Sequence, residues 1–262
     1  MYVKIIQSGE FIERFQYEKS PAPQVRTNGA KSRYGSHSGN DDRARFGRRS
    51  SSVVRAQRSF FRLVRANTGR GEAPALLTLT MLDIVSLREA WCDFTAFIVR
   101  LNKEKYPRVR YIAVPEFQKR GAVHFHVLIW GLTYDEISTE RKTRYIQGLW
   151  GKGFLDVVFT DGSPKLSGYL AKYMSKAMQD RRNFGRKAYS VSRGLVHPVS
   201  VSAPSAVDLI DSQIAGKIEI TEDGFKDVDN PPLHPLRHRV YDTPWLGRAE
   251  FTSYNLSGTN EE

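Results

Sequence analysis

Apolar positions in this chain alternate with polar ones in short runs and recur every three to four residues in longer ones, so strands and helices are both expected. Residues 2–6 (Tyr-Val-Lys-Ile-Ile) predict a short strand, and residues 75–81 (Ala-Leu-Leu-Thr-Leu-Thr-Met) a central one. Ser50 or Ser51 caps a helix running to about Ala66, with Val53, Val54, Phe60, Phe61 and Val64 on one side. Ser86-Leu87-Arg88-Glu89 has the form of a capping box. The helix it opens carries Leu87, Ala90, Trp91, Phe94, Phe97, Ile98 and Leu101 as a core-facing stripe. Residues 109–117 and 122–130 predict two strands joined by a tight loop, residues 135–149 a helix, and Phe154–Thr160 a further strand. Ser163-Pro164 starts another helix, to about Asp180, and Gly185–Val201 holds β-prone pieces such as Ala188-Tyr189-Ser190-Val191.

Charge divides the chain further. The 262 residues carry a net charge of +12 and a pI near 9.8, which points to a polyanionic partner. Between Arg26 and Arg70 lie twelve basic and two acidic residues. Residues 1–49 read as an N-terminal segment with a flexible basic arm rich in Ser, Gly, Arg and Asn. Residues 50–204 read as the folded domain. Residues 205–262 read as an irregular acidic tail, because Pro231, Pro232, Pro235 and Pro244 interrupt regular structure. Arg55, Arg58, Arg62 and Arg65 recur at helical spacing opposite the apolar side of their helix, a pattern that suits phosphate contacts and equally a solvated face. The single cysteine, Cys92, excludes an intramolecular disulfide and fits a reducing cytoplasm as a buried, inert thiol. No signal peptide and no apolar run of membrane-spanning length is expected.

The candidate chemistry lies in two segments. His124-Phe125-His126 on a strand points both imidazoles to one face. If Lys119-Arg120-Gly121 is a three-residue hairpin loop, Gly121 takes its left-handed position and Glu116 falls opposite His124. Glu116, His124 and His126 then converge, and two imidazoles with a carboxylate suit a divalent ion such as Mg²⁺ or Mn²⁺. Bare H-x-H also occurs as ordinary strand residues; the carboxylate on the same face tips the reading toward metal. On a helix, Tyr169, Lys172, Tyr173 and Lys176 fall within one arc of roughly 100°, apart from Leu170, Ala171, Met174, Ala177 and Met178. A phenol needs help to act as a nucleophile at neutral pH, and a neighbouring ammonium favours the phenolate and pairs with phosphate.

These segments resemble the HUH endonuclease superfamily, above all the rolling-circle replication initiators (Rep proteins) of bacterial plasmids and single-stranded DNA phages. Leu77-Thr78-Leu79-Thr80 resembles the first motif, Pro115–His126 the HUH motif with its acidic ligand, and Tyr169–Lys176 (YLAKYMSK) the two-tyrosine motif. Gly185–Leu195 resembles the segment that follows, so the likeness covers about residues 53–200. It implies an α+β fold with a central antiparallel β-sheet flanked by helices (RRM-like), with the histidines on a middle strand. It implies Mg²⁺ or Mn²⁺ at Glu116, His124 and His126, and a single-stranded or hairpin DNA origin. Tyr173 would be the main nucleophile, Tyr169 its partner, and Lys172 and Lys176 would position phosphate or phenolate. Attack leaves a 5′-phosphotyrosine and a 3′-OH that primes synthesis. Arg55, Arg58, Arg62, Arg65 and Arg120 form the candidate DNA-binding set. The chain has no G-x-x-x-x-G-K-[ST], so host helicase and polymerase are the expected partners, in a bacterial cytoplasm and with no membrane. The same chemistry serves transposases and relaxases. A non-catalytic nucleic-acid-binding module with structural histidines is the reading from a different class.

Overall fold

A computed structural model describes residues 1–21, 42–68, 72–104, 108–132, 139–160, 169, 173, 176, 177, 180, 182, 187–221 and 224–257. The chain forms two compact units, one of Met1–Ser52 with Val199–Glu262 and one of Val53–Pro198. Both are antiparallel α+β structures.

The Val53–Pro198 unit is built on β3 (Ala75–Thr80), α2 (Leu87–Glu104), β4 (Arg110–Phe117), β5 (Val123–Trp130), α3 (Thr139–Trp150) and β6 (Leu155–Phe159). This β-α-β-β-α-β order closes a sheet ordered β6-β3-β5-β4, extended at the β4 edge by the two-residue β7 (Ser190–Val191). The split arrangement is that of ferredoxin-like and RRM sheets. β5, bearing both histidines, is the middle of the five strands.

Side-chain alternation gives each strand two faces, and both are used. Leu77 and Leu79 of β3 lie with Phe125, Val127 and Ile129 of β5 in one core, under Phe94, Phe97 and Leu101 of α2 and Ile146 and Trp150 of α3. The capping box forms: Ser86 N–H donates to Glu89 at 2.9 Å, and Glu89 N–H to Ser86 Oγ at 3.2 Å, which stabilises the helix start by about 1 kcal/mol. The opposite face packs Leu76, Ile112, Val114, Leu128 and Trp130 against Phe60, Leu63 and Val64 of α1 (Asp42–Asn67), with Ala177 and Leu195. His124 and His126 share this second face with Leu128 and Trp130, at the end of β5 where its apolar cover stops.

In the other unit, β1 (Tyr2–Ser8) and β2 (Phe11–Tyr17) form a hairpin. β8 (Val199–Val201), β11 (Arg237–Thr243) and β12 (Gly247–Asn255) complete a sheet ordered β11-β12-β2-β1-β8. Helix α4 (Pro204–Ile214) sets Val207 and Ile210 on Ile5 and Ile12, and Arg14 pairs with Asp211 at 2.9 Å. β9 (Ile218–Thr221) and β10 (Gly224–Asp227) form a separate hairpin.

Residues 205–262 are therefore not an irregular tail. Pro231, Pro232 and Pro235 occupy the connection before β11 and Pro244 the β11–β12 turn, so the prolines punctuate strands rather than prevent them. The N-terminal segment contributes two strands, and α1 starts at Asp42, inside the stretch read as an arm. Residues 22–41 of that arm lie outside the described residues. Val54, placed with the apolar side of α1, is exposed. Cys92, expected to be buried, is also exposed, because it follows Trp91 on the outer side of the α2 stripe.

Gly153, between α3 and β6, has φ +148°, and a Cβ there would stand 2.4 Å from the Thr80 carbonyl oxygen. That carbonyl also accepts the Trp150 indole N–H at 3.1 Å. Gly153→Ala is expected to cost at least about 2 kcal/mol, a drop in melting temperature of roughly 5 °C or more. Gly148→Ala, in α3 with open space around it, is expected to be neutral or stabilising by up to about 1 kcal/mol. Thermal unfolding of the two variants checks the pair.

Candidate active site

The β4–β5 hairpin sets the site. Gly121 N–H donates to Gln118 O and Gln118 N–H to Ala122 O, each at 2.9 Å, so Lys119-Arg120-Gly121 is a three-residue loop. Gly121 has φ +95°, a left-handed conformation that costs other residues about 1 kcal/mol or more. The register that follows pairs Phe117 with Val123 and Glu116 with His124. Directly opposed residues share a face, so Glu116 lies beside His124 and diagonally across from His126.

Those three residues are engaged as follows. His126 Nε2 and Glu116 Oε2 are hydrogen-bonded at 3.0 Å. Lys176 Nζ donates to the other oxygen, Glu116 Oε1. Thr80, opposite His124 on β3, bonds His124 Nδ1 through its hydroxyl at 2.9 Å, which leaves Nε2 of that ring for another partner. Burial drives His126 down to about 4, against the hydrogen bond and charge of Glu116, so this ring is neutral at physiological pH. Burial likewise lowers His124. Burial alone would raise Glu116, but the hydrogen bonds from Lys176 and His126 and the Lys176 charge outweigh it and hold the carboxyl below its ordinary value.

Tyr169, Tyr173, Lys176 and Ala177 are helical. Ala177 is buried in the second core, which turns the tyrosines to the site rather than into the sheet. The Tyr173 ring stacks on His126 with centroids 3.6 Å apart and planes 24° from parallel. Its hydroxyl donates to the Tyr169 hydroxyl at 2.9 Å. That hydrogen bond, with partial burial, pushes the Tyr173 phenol up to about 12. The expected stabilisation of phenolate by the neighbouring ammonium is therefore not the arrangement found: Lys176 is on Glu116 and Tyr173 is held protonated. Lys172 lies outside the described residues.

Two neutral imidazoles and an ionised carboxylate on one face are a donor set suited to a hard or borderline divalent ion. In the present arrangement Lys176 supplies the positive charge on Glu116, and among the described residues no three His, Cys, Asp or Glu side chains are gathered as an ion cage. Thr80 is the residue that sequence reasoning passed over. It lies in the first motif-like segment, but its role follows only from the pairing of β3 with β5, which orients the His124 ring as partners of metal-binding histidines do.

Residues 74–178 match the family model of the ORF2 class of replication-associated proteins. The match supports a replication-initiator role. It begins just before β3 and takes in Thr80, Glu116, His124, His126, Tyr169, Tyr173 and Lys176. Comparison with curated proteins and with solved structures found no match. The matched span also contains Arg120, whose guanidinium is bound into the fold. It donates to the carbonyls of Met81 and Leu82 and, from Nε, to Gln118 at 3.0 Å, tying the hairpin loop to the end of β3 instead of facing outward as a DNA contact. Of the α1 arginines, which precede the match, Arg55 and Arg58 are exposed and Arg62 and Arg65 half-buried. Among the described residues no helix is long and apolar enough to cross a membrane.

The His126 environment sets a pH dependence. Its folded-state value lies near 4 against an ordinary 6.5, so the unfolded chain takes up a proton that the folded site refuses. Stability is whole above pH 6.5 and declines as the pH falls toward 4, by about 3 kcal/mol at most. Urea unfolding between pH 7 and 4 measures this, and His126→Gln should flatten the decline. An unchanged slope in that variant would show that other groups carry it.

Proposed function

We propose that the Val53–Pro198 unit nicks and rejoins single-stranded DNA at a replication origin, through a 5′-phosphotyrosine, and so initiates rolling-circle replication. The observation that carries this reading is the stacking of Tyr173 on His126, with Lys176 of the same helical segment on Glu116. It brings the candidate nucleophile and the candidate ion ligands to one place.

Glu116, His124 and His126 would hold Mg²⁺ or Mn²⁺, which when bound supplies positive charge for the oxygens of the scissile phosphate. Tyr173 Oη forms the bond to phosphorus while the P–O3′ bond breaks. The phenolic proton ends on the departing 3′ oxygen, giving the hydroxyl that primes synthesis. The protonated resting state of Tyr173 means that its hydrogen bond to Tyr169 must open first. Tyr169, one helical turn away, is the second nucleophile for the later transesterification that rejoins the strand. Lys176, released from Glu116, would pair with the phosphate, and Lys172 would do the same from the preceding turn. Thr80 keeps the His124 ring in orientation. Arg55 and Arg58, and behind them Arg62 and Arg65, would follow the backbone of the DNA. Host helicase and polymerase, in the cytoplasm of a bacterial cell, would supply unwinding and extension.

The test is incubation of the protein with labelled single-stranded origin DNA and Mn²⁺, followed by denaturing electrophoresis. A covalent adduct is expected. It should be lost in the Tyr169→Phe/Tyr173→Phe double variant and reduced at least about 100-fold in Glu116→Ala and His126→Ala. Salt-sensitive binding without any adduct would instead mark a non-catalytic binding module.

A further inference from the structure

The family match leaves the Met1–Ser52 and Val199–Glu262 unit unassigned, and the registers of its sheet order one face in rows. On the side under α4 lie Ile5, Ile12 and Tyr254. On the other side, one cross-strand row reads Arg239, Phe251, Phe15, Lys4, and the next reads Tyr241, Ala249, Tyr17, Tyr2. Phe15 and Phe251 are in ring contact at 5.0 Å, and Tyr2 and Tyr17 are stacked at 6.1 Å with planes 27° apart. Ala249, fully buried, leaves the gap between Tyr241 and Tyr17 without a large side chain. Arg237, Arg239 and Tyr241 stand exposed on β11, the edge strand. Glu13, in the row of Arg237 and Ile6, is the one acidic residue among the described strand residues of this face.

We propose that this sheet face binds single-stranded DNA, with bases stacked on the rings and phosphates paired with Lys4, Arg237 and Arg239. Stacking platforms bordered by cations suit a strand whose bases are unpaired, and every base offers a π-face to a tyrosine or phenylalanine. A protein partner would be met by a contiguous apolar surface with fewer charges at its centre. Here cations bracket the aromatic rows, in a chain whose net charge is +12. A duplex keeps its bases stacked within and would meet only the cations. This inference goes beyond the nicking chemistry and does not depend on it.

The test uses the full chain carrying Tyr169→Phe and Tyr173→Phe, so that no strand is cut, with a fluorescent twenty-residue oligothymidylate as probe. Tyr241→Ala and Arg239→Ala alter exposed side chains on an edge strand, and an unchanged melting temperature verifies the fold. Each should raise Kd at least about five-fold, and Arg239→Ala should reduce the salt slope by about one. Ultraviolet cross-links to the probe should map to peptides holding Tyr241 or Phe251. Affinity within about two-fold of the parent, with cross-links confined to Val53–Pro198, would overturn the proposal. So would variants that change self-association in sedimentation while leaving probe affinity intact.

Discussion

The register of one β-hairpin governs the candidate site. Side chains on a strand alternate with a period of two, so a slip of one residue between β4 and β5 would send Glu116 to the far face, away from both imidazoles. The three-residue loop closed by Gly121 at φ +95° fixes that register. Arg120 braces the loop against Met81 and Leu82. The same strand pairing brings Thr80 opposite His124. Two buried cores hold the strands between them, so the polar cluster sits at the edge of a rigid sheet rather than on a mobile loop.

Within that frame the charges are balanced without an ion. Glu116 is half-withdrawn from water and ionised, and it has drawn Lys176 to one oxygen and His126 to the other. A buried carboxylate in such a place needs a positive partner, and an ammonium on a helix can yield that place to a divalent cation. The exchange would connect the two halves of the site, because Lys176 lies on the same helical segment as both phenols. Tyr173, stacked on a ligand candidate and bonded to Tyr169, is held close yet unreactive.

Much of this was legible in the sequence because it rested on short-range rules. The glycine at the third loop position implied the loop length, the loop length implied the Glu116–His124 pair, and helical periodicity placed Tyr169, Tyr173 and Lys176 on one face. The hidden parts depend on long-range pairing. Thr80 became a partner of His124 only through the β3–β5 register. Arg120 looked like a DNA contact because a positive charge on a loop carries no sign of the carbonyls it will meet. The C-terminal strands were masked by prolines and acidic residues that fall between strands, and by pairing partners at the opposite end of the chain, as in Phe15 and Phe251.

The most direct test of the central claim is anomalous diffraction from crystals of the Tyr173→Phe protein grown with Mn²⁺ and a single-stranded oligonucleotide. The account predicts a manganese peak contacting Glu116, His124 and His126, with Lys176 displaced from the carboxylate and a phosphate beside the position of the missing hydroxyl. A peak elsewhere, or none with Lys176 still on Glu116, would contradict it.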